Sequence, residues 1–172
     1  TITLPTGVSL TIMQVEMSFT DENVLWITGP YNSSGNRIHK STDGGASWTN
    51  LTTATINGQS YYNLLAQAGT NDGVYIIGRA GKVFYRNNSM SDWASFAISL
   101  PLGFNPTKTL AFYRDGKIRT SGNHGIWEVA FYEDGVPIAQ PSVDKLSSNC
   151  PRDTFYFDDY SAFKQSGGTW SW

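Results

Sequence analysis

The residues able to do chemistry are few and scattered. His39 and His124 lie far apart, and neither has a second ligand-type residue at a spacing that would hold a metal ion, so no metal site is expected. Cys150 is the single cysteine, which excludes an internal disulfide framework and a cysteine-based zinc site. Adjacent acids occur at Asp21-Glu22, Glu133-Asp134 and Asp158-Asp159. Glycoside hydrolysis needs two carboxyls facing each other across a gap of about 5–10 Å. Neighbours on a strand point to opposite faces, and acids in turns usually serve the turn itself. Arg37, Arg79, Arg86, Arg114, Arg119 and Arg152 could clamp an anion, but Arg37 and Arg86 fall on strands leading into turns, where a solvated face is the plainer reading. No nucleophile-elbow pattern anchors a Ser-His-Asp set. The expectation is no catalytic residue and no cofactor. Tyr31, Tyr61, Tyr62 and Tyr113 are candidates for a sugar- or peptide-binding face, with core packing as the alternative for each. Asn32-Ser33-Ser34, Asn50-Leu51-Thr52 and Asn87-Asn88-Ser89 match the N-glycosylation sequon, a short pattern that also arises by chance.

The elements that must carry these residues are strands. The chain of 172 residues holds 17 Gly, 9 Tyr, 9 Phe and 6 Trp, and only 15% of it is charged. Aromatic and β-branched residues suit a pleated, half-buried surface, and frequent glycine supplies turns, whereas the residues that build long helices are sparse. The net charge of −2 and the lack of a Lys/Arg cluster argue against a nucleic-acid partner. No apolar run approaches the roughly 20 residues that span a bilayer as a helix, so no membrane insertion is expected. The opening at Thr1 in a strand-like Ile-Thr-Leu-Pro segment, and the close on Trp170-Ser171-Trp172, lead us to expect an excerpt of a longer polypeptide.

A repeat runs through the chain. Its first unit carries 23–29 (Asn-Val-Leu-Trp-Ile-Thr-Gly), then 36–40, then a Gly-rich hairpin ending at Trp48. The second carries 73–78, then 81–86, then a polar turn ending at Trp93; the third carries 116–122 and 125–129. Gly29, Gly78 and Gly122 sit at matching places, 49 and 44 residues apart. Turn signals precede each unit at Thr20-Asp21-Glu22-Asn23, Thr70-Asn71-Asp72-Gly73 and Arg114-Asp115-Gly116. Four short strands in about 45 residues is the unit of a β-propeller blade. The fold class expected is therefore all-β: a partial β-propeller of about three four-stranded blades over 1–140, followed over 141–172 by a linker and the first strands of a β-sandwich. Residues 1–9 read as an outer strand of an earlier blade. Three blades do not close a ring, which typically takes four to eight, so the remaining blades of a parent chain are expected as partners.

One motif is specific. Ser41-Thr42-Asp43-Gly44-Gly45-Ala46-Ser47-Trp48 resembles the Asp-box (BNR repeat), Ser/Thr-x-Asp-x-Gly-x-x-Trp/Phe. Its spacing has a mechanical logic: Asp43 can accept N–H bonds within its own turn, Gly45 can take positive φ, and Trp48 re-enters the sheet. The second unit has a worn form, 87–93, and the third has Tyr132-Glu133-Asp134-Gly135 with no closing Trp. The resemblance implies that Ser41, Asp43, Gly45 and Trp48 are folding devices at the propeller periphery, not catalytic groups. The family includes sialidases, some endoglucanases, sorting receptors, assembly factors and many secreted proteins. The sialidase Phe-Arg-Ile-Pro-type arginine motif is absent here.

From Gln140-Pro141 the blade rhythm stops. Residues 154–161 (Thr-Phe-Tyr-Phe-Asp-Asp-Tyr-Ser), then Gly167-Gly168 and Trp170-Ser171-Trp172, resemble the front half of a PKD-type immunoglobulin-like domain. Phe157, Asp159 and Ser161 fit its first strand end, and Trp170 with Trp172 fits the second. A closing strand for the propeller is the alternative. Phe155 and Phe157 are expected to share a face buried with Trp170 or Trp172. The resemblances together imply a non-catalytic scaffold or binding protein, secreted or on the cell surface, serving adhesion, ligand or partner binding, or surface-complex assembly. Large secreted Bacteroidetes surface proteins, cargo of type IX secretion, combine these modules, and their partners would be other surface proteins or glycans. The competing reading is part of a sialidase-like or other glycoside hydrolase whose catalytic residues lie outside this segment. An assembly factor or sorting receptor that binds a peptide tail is a third.

Overall fold

A computed structural model describes residues 4–5, 14–29, 37–57, 61–78, 82–96, 106–112, 117–122, 125–136, 141–143 and 156–159. All of its regular elements are strands, and no helix among the described residues is long and apolar enough to cross a membrane. The first sheet runs β1 (Gln14–Met17), β2 (Leu25–Thr28), β3 (Ile38–Ser41) and β4 (Thr49–Asn50), in that spatial order and antiparallel throughout. The second repeats it with β5 (Tyr61–Gln67), β6 (Gly73–Gly78), β7 (Val83–Arg86) and β8 (Ala94–Ser95). The third holds β9 (Pro106–Phe112), β10 (Lys117–Gly122) and β11 (Gly125–Ala130), with β10 central. A fourth strand for this sheet is not among the described residues. These sheets are the three blades the repeat calls for.

The glycine spacing becomes register. Trp26 and Tyr75, offset like Gly29 and Gly78, occupy the same place on the second strand of their blades, opposite Lys40 and Tyr85. The second strands β2 and β6 read as near-continuous apolar runs, not alternating ones, because both of their faces are covered. Leu25–Thr28 is buried at every position. The first core lies between blades one and two and joins Val24, Trp26 and Ile38 to Leu64, Ala66, Val74, Ile76, Phe84 and Trp93. Ile56, in the connection between these blades, plugs it. The second core lies on the other face of blade two, where Leu65, Tyr75, Ile77, Val83 and Tyr85 meet Ile118, with Phe96, Val129 and Phe131 packed around them.

The faces also show where packing stops. Leu64 and Ala66 on β5 are each 2% exposed, against blade one. Val15 and Met17, at the matching positions of β1, are 53% and 55% exposed. Alternate residues Gln14 and Glu16 turn the other way and work at the junction. The Gln14 amide both donates to the Leu64 carbonyl (2.9 Å) and accepts from its N–H (2.7 Å), extending the hydrogen bonding of β5 sideways. Glu16 accepts from Ala66 N–H at 3.1 Å, and burial holds its carboxyl above the usual range despite that bond.

In the tail, β12 (Pro141–Val143) pairs antiparallel with β13 (Phe157–Asp159) as a separate two-stranded sheet, with Val143 opposite Phe157. Through 157–159 the tail therefore adds no strand to a blade. Asp158 and Asp159 are strand neighbours, as expected. Phe155, Ser161, Trp170 and Trp172, on which the expected aromatic cluster depends, lie outside the described residues, as does nearly all of 1–9.

Candidate functional site

The segment that resembles an Asp-box, 41–48, closes the β3–β4 turn. Ser41 sits at the last position of β3, and its hydroxyl donates to Asp43 Oδ1 (2.8 Å) while accepting from Gly45 N–H (2.8 Å). Asp43 then receives the Ser47 N–H on Oδ1 (2.8 Å) and the Ser47 hydroxyl on Oδ2 (2.6 Å). Gly44 and Gly45 take φ of 69° and 88°, where a Cβ would be strained. Gly44 N–H reaches the Asn23 carbonyl at 2.9 Å, so this turn is tied to the β1–β2 turn of its own blade. The Ser47 hydroxyl, the Ser47 N–H and the Ser41 hydroxyl, in that order, pull the Asp43 carboxyl down to about 2.

The second unit preserves the tie without the box. Asn88 N–H donates to the Asn71 carbonyl (3.0 Å), as Gly44 does to Asn23. Asn87 Oδ1 accepts from Ser89 N–H (2.9 Å), and Asp92 caps Trp93 N–H (2.7 Å) while accepting the hydroxyls of Thr53 (2.5 Å) and Thr55 (2.6 Å). Trp93 is buried and donates its indole N–H to the Leu51 carbonyl at 2.8 Å. Trp48, at the corresponding place in blade one, is only half-buried, because its face of the sheet is the one that also carries exposed Val15 and Met17.

Gly45→Val is expected to cost about 1–2 kcal/mol from the left-handed backbone alone, read as a lower urea midpoint. Asp43→Ala is expected to lower the midpoint in the same direction. It should also abolish the part of acid unfolding that runs from the ordinary carboxyl value of 3.8 down to about 2, because a carboxyl with a depressed pKa stabilises above that window and loses the effect as pH falls through it. Either variant keeping full stability would remove the structural role of the box.

Polar residues from different blades converge on the β5–β6 turn, where Asp72 holds φ of 54°. Lys40, buried on β3, spans the junction: its Nζ donates to Asp72 Oδ2 (2.8 Å) and Asn88 Oδ1 (2.6 Å) and lies 5.4 Å from the centre of the Trp26 ring. From the other side, the segment after β11 folds over blade two. Glu133 accepts from the Tyr85 hydroxyl (2.6 Å) and from the Asn87 amide (3.1 and 3.2 Å). Its backbone carbonyl takes the Gln67 amide (2.6 Å), and Val136 N–H donates to the Gly69 carbonyl (2.6 Å). A Cβ on Gly69 or Gly135 would collide with the facing backbone carbonyl, so both glycines are required for this approach. Burial pushes both Tyr75 and Tyr85 hydroxyls well above the ordinary phenol value, leaving them as permanent donors.

Of the sequence candidates, the structure brings Ser41, Asp43 and Gly45 together in one turn, with Trp48 at its end. Tyr61 and Tyr62 lie on β5, while Tyr31 and Tyr113 lie outside the described residues. Arg37 does not form the solvated face expected of it: it is buried, just before β3. Arg86 is half-buried at the end of β7. Among the described residues no three of His, Cys, Asp and Glu gather as metal ligands.

His39 is buried with its Nδ1 lacking a hydrogen-bond partner, and desolvation lowers its pKa. The unfolded chain therefore takes up the proton first. Stability is full above about pH 6.5 and falls as pH drops below that value, and His39→Gln should flatten this slope in denaturant titrations between pH 7 and 5. An unchanged slope would contradict the buried neutral imidazole.

No protein-family model matches the chain, and no curated protein matches it. Solved structures do. YCF48 from Cyanidioschyzon merolae, a β-propeller protein, superposes with a TM-score of 0.55 at 16% identity over 72% of this chain and 38% of that one. A structure described as YCF48 bound to D1 peptide superposes at 0.50, with 19% identity over 71% of this chain and 37% of that one. The chain spans less than two fifths of the length of these neighbours. Blade stacking and superposition together make the fold all-β and a partial β-propeller.

Proposed function

We propose that this chain is part of a non-catalytic, partner-binding propeller, a scaffold within a larger secreted or surface-exposed protein, and that its partner is a polypeptide. The observation that carries the non-catalytic reading is how the carboxylates are engaged. Asp43 closes its own turn, Asp72 braces Lys40, Asp92 holds Thr53 and Thr55, Glu128 pairs with Lys117 and Arg119, and Glu133 holds Tyr85 and Asn87. Carboxylates committed to the fold in this way are poorly placed to exchange protons with a substrate. A polypeptide partner is favoured by the YCF48 neighbour, which was solved with a peptide bound. The larger parent is favoured by the exposed Val15 and Met17, at positions where blade two packs on its neighbour. Asp-box and PKD-type modules, and export by a type IX route, belong to the same reading.

The test uses the full-length parent protein. Sialosides and polysaccharides are offered for turnover, and an array of peptides, including free chain ends, is offered for binding by calorimetry. Micromolar peptide binding without glycoside turnover supports the proposal. Glycoside hydrolysis above background would overturn it in favour of a glycoside hydrolase.

A further inference from the structure

Between blades one and two, at the end of the sheets that carries the β3–β4 and β5–β6 turns, lies a cavity of about 80 Å³ lined by Trp26, Lys40, Leu51, Val74, Asp72, Arg86, Asn87 and Asn88. We propose that it is a binding pocket for a single carboxylate group carried by a polypeptide. The inference deepens the partner-binding reading and rests on it for the source of the ligand.

Size sets the first limit. At about 80 Å³ the cavity suits a small polar group of a few heavy atoms. Charge sets the second. Lys40 and Arg86 are cations, Asp72 is the one acid in the lining, and Lys40 and Asp72 neutralise each other at 2.8 Å. One positive charge is left over, and it belongs to Arg86. Its guanidinium makes no hydrogen bond or ion pair among the described residues; its influence reaches Asp92, in the neighbouring turn, only through space. By contrast the amides are already engaged: Asn87 with Glu133 and Ser89, Asn88 with Lys40 and Asp72. A half-buried guanidinium with no acceptor in the fold keeps its donors available, and its planar fork matches a carboxylate. Trp26, Leu51 and Val74 supply an apolar wall for the carbon bearing the carboxylate. Asp72 disfavours a dianion such as a phosphate monoester, so a singly charged group is selected.

A carboxylate of this kind comes from a chain end or from an Asp or Glu side chain. The full-length protein, labelled with nitrogen-15, is titrated with N-acetylglycine, with N-acetylaspartate α-amide, and with neutral N-acetylglycinamide. The readouts are the Arg86 Nε–H and Trp26 indole N–H resonances. Saturable shifts with one or both carboxylates and none with the neutral amide support the pocket, and the responding probe identifies the source. Arg86→Gln should weaken the response about tenfold or more with an unchanged melting temperature, since Arg86 holds nothing in the fold. Equal shifts from carboxylate and amide, or wild-type binding by Arg86→Gln, would overturn the pocket. If Arg86→Gln perturbs folding, the wild-type contrast between carboxylate and amide decides alone. Peptide binding that survives while the carboxylate probes stay silent removes this pocket and leaves the partner-binding reading standing; the reverse pattern removes that reading only.

Discussion

Trp26→Ala is expected to remove about 3–5 kcal/mol of stability, the range for deleting a fully buried large aromatic. Trp26 is 1% exposed and lies in the first core, between β2 and the strands of blade two. Its loss leaves a void that two sheets, each held by its own hydrogen bonds, cannot close by moving a single side chain. It also withdraws the ring beneath Lys40, so a buried cation loses a favourable face. Trp26→Phe, which keeps an apolar ring, should recover more than half of the loss. Urea unfolding followed by far-ultraviolet circular dichroism measures both. A loss below about 1 kcal/mol for Trp26→Ala would mean that blades one and two are not packed as described.

Much of the architecture was legible because blades repeat and because their faces are covered on both sides. Gly29, Gly78 and Gly122 mark equivalent strand ends, and the turn residues around Asp21 and Asp72 mark the hairpins that the strands then form. The turn at 41–48 was the most legible part, since the side-chain hydrogen bonds of Ser41, Asp43 and Ser47 fall within seven residues of chain, whereas the Gly44 bond to Asn23 does not. The site at the junction was not. In the sequence Lys40 stands only as the end of the repeat segment 36–40, but its partners Asp72 and Asn88 are 32 and 48 residues away, in another blade. Glu133 looked like turn chemistry, yet its acceptors serve Tyr85 and Asn87, 48 and 46 residues upstream. Arg37 was placed on a solvated face by its neighbours in sequence and is buried by its neighbours in space. Spacing within one strand reports which face a residue takes; it says nothing about what the adjacent blade presents there. The available signal was the repeat itself. Aligning Lys40 with Tyr85 places both at the end of a third strand, opposite an aromatic residue on the second, where the next blade must supply a polar partner.

That alignment leads to the second large effect. Lys40→Ala is expected to destabilise the protein by about 3 kcal/mol, the lower end of the range for removing one partner of a buried ion pair. The side chains of Lys40 and Asp72 are 9% and 18% exposed, so Asp72 retains some water when abandoned and the full penalty does not develop. The Asn88 Nδ2 bond to Asp72 at 2.9 Å softens it further, although Asn88 loses the donor to its own Oδ1. Asp72→Asn should cost less than Lys40→Ala, because an amide can still accept from the ammonium. Combining Lys40→Met with Asp72→Asn removes both charges and leaves an apolar stem against Trp26, a replacement that is often neutral for buried pairs. The double variant is therefore expected to lie within about 1 kcal/mol of the wild type, well above Lys40→Ala in urea midpoint. If the double variant is instead as unstable as Lys40→Ala, the ion pair itself and not the uncompensated charge joins the two blades.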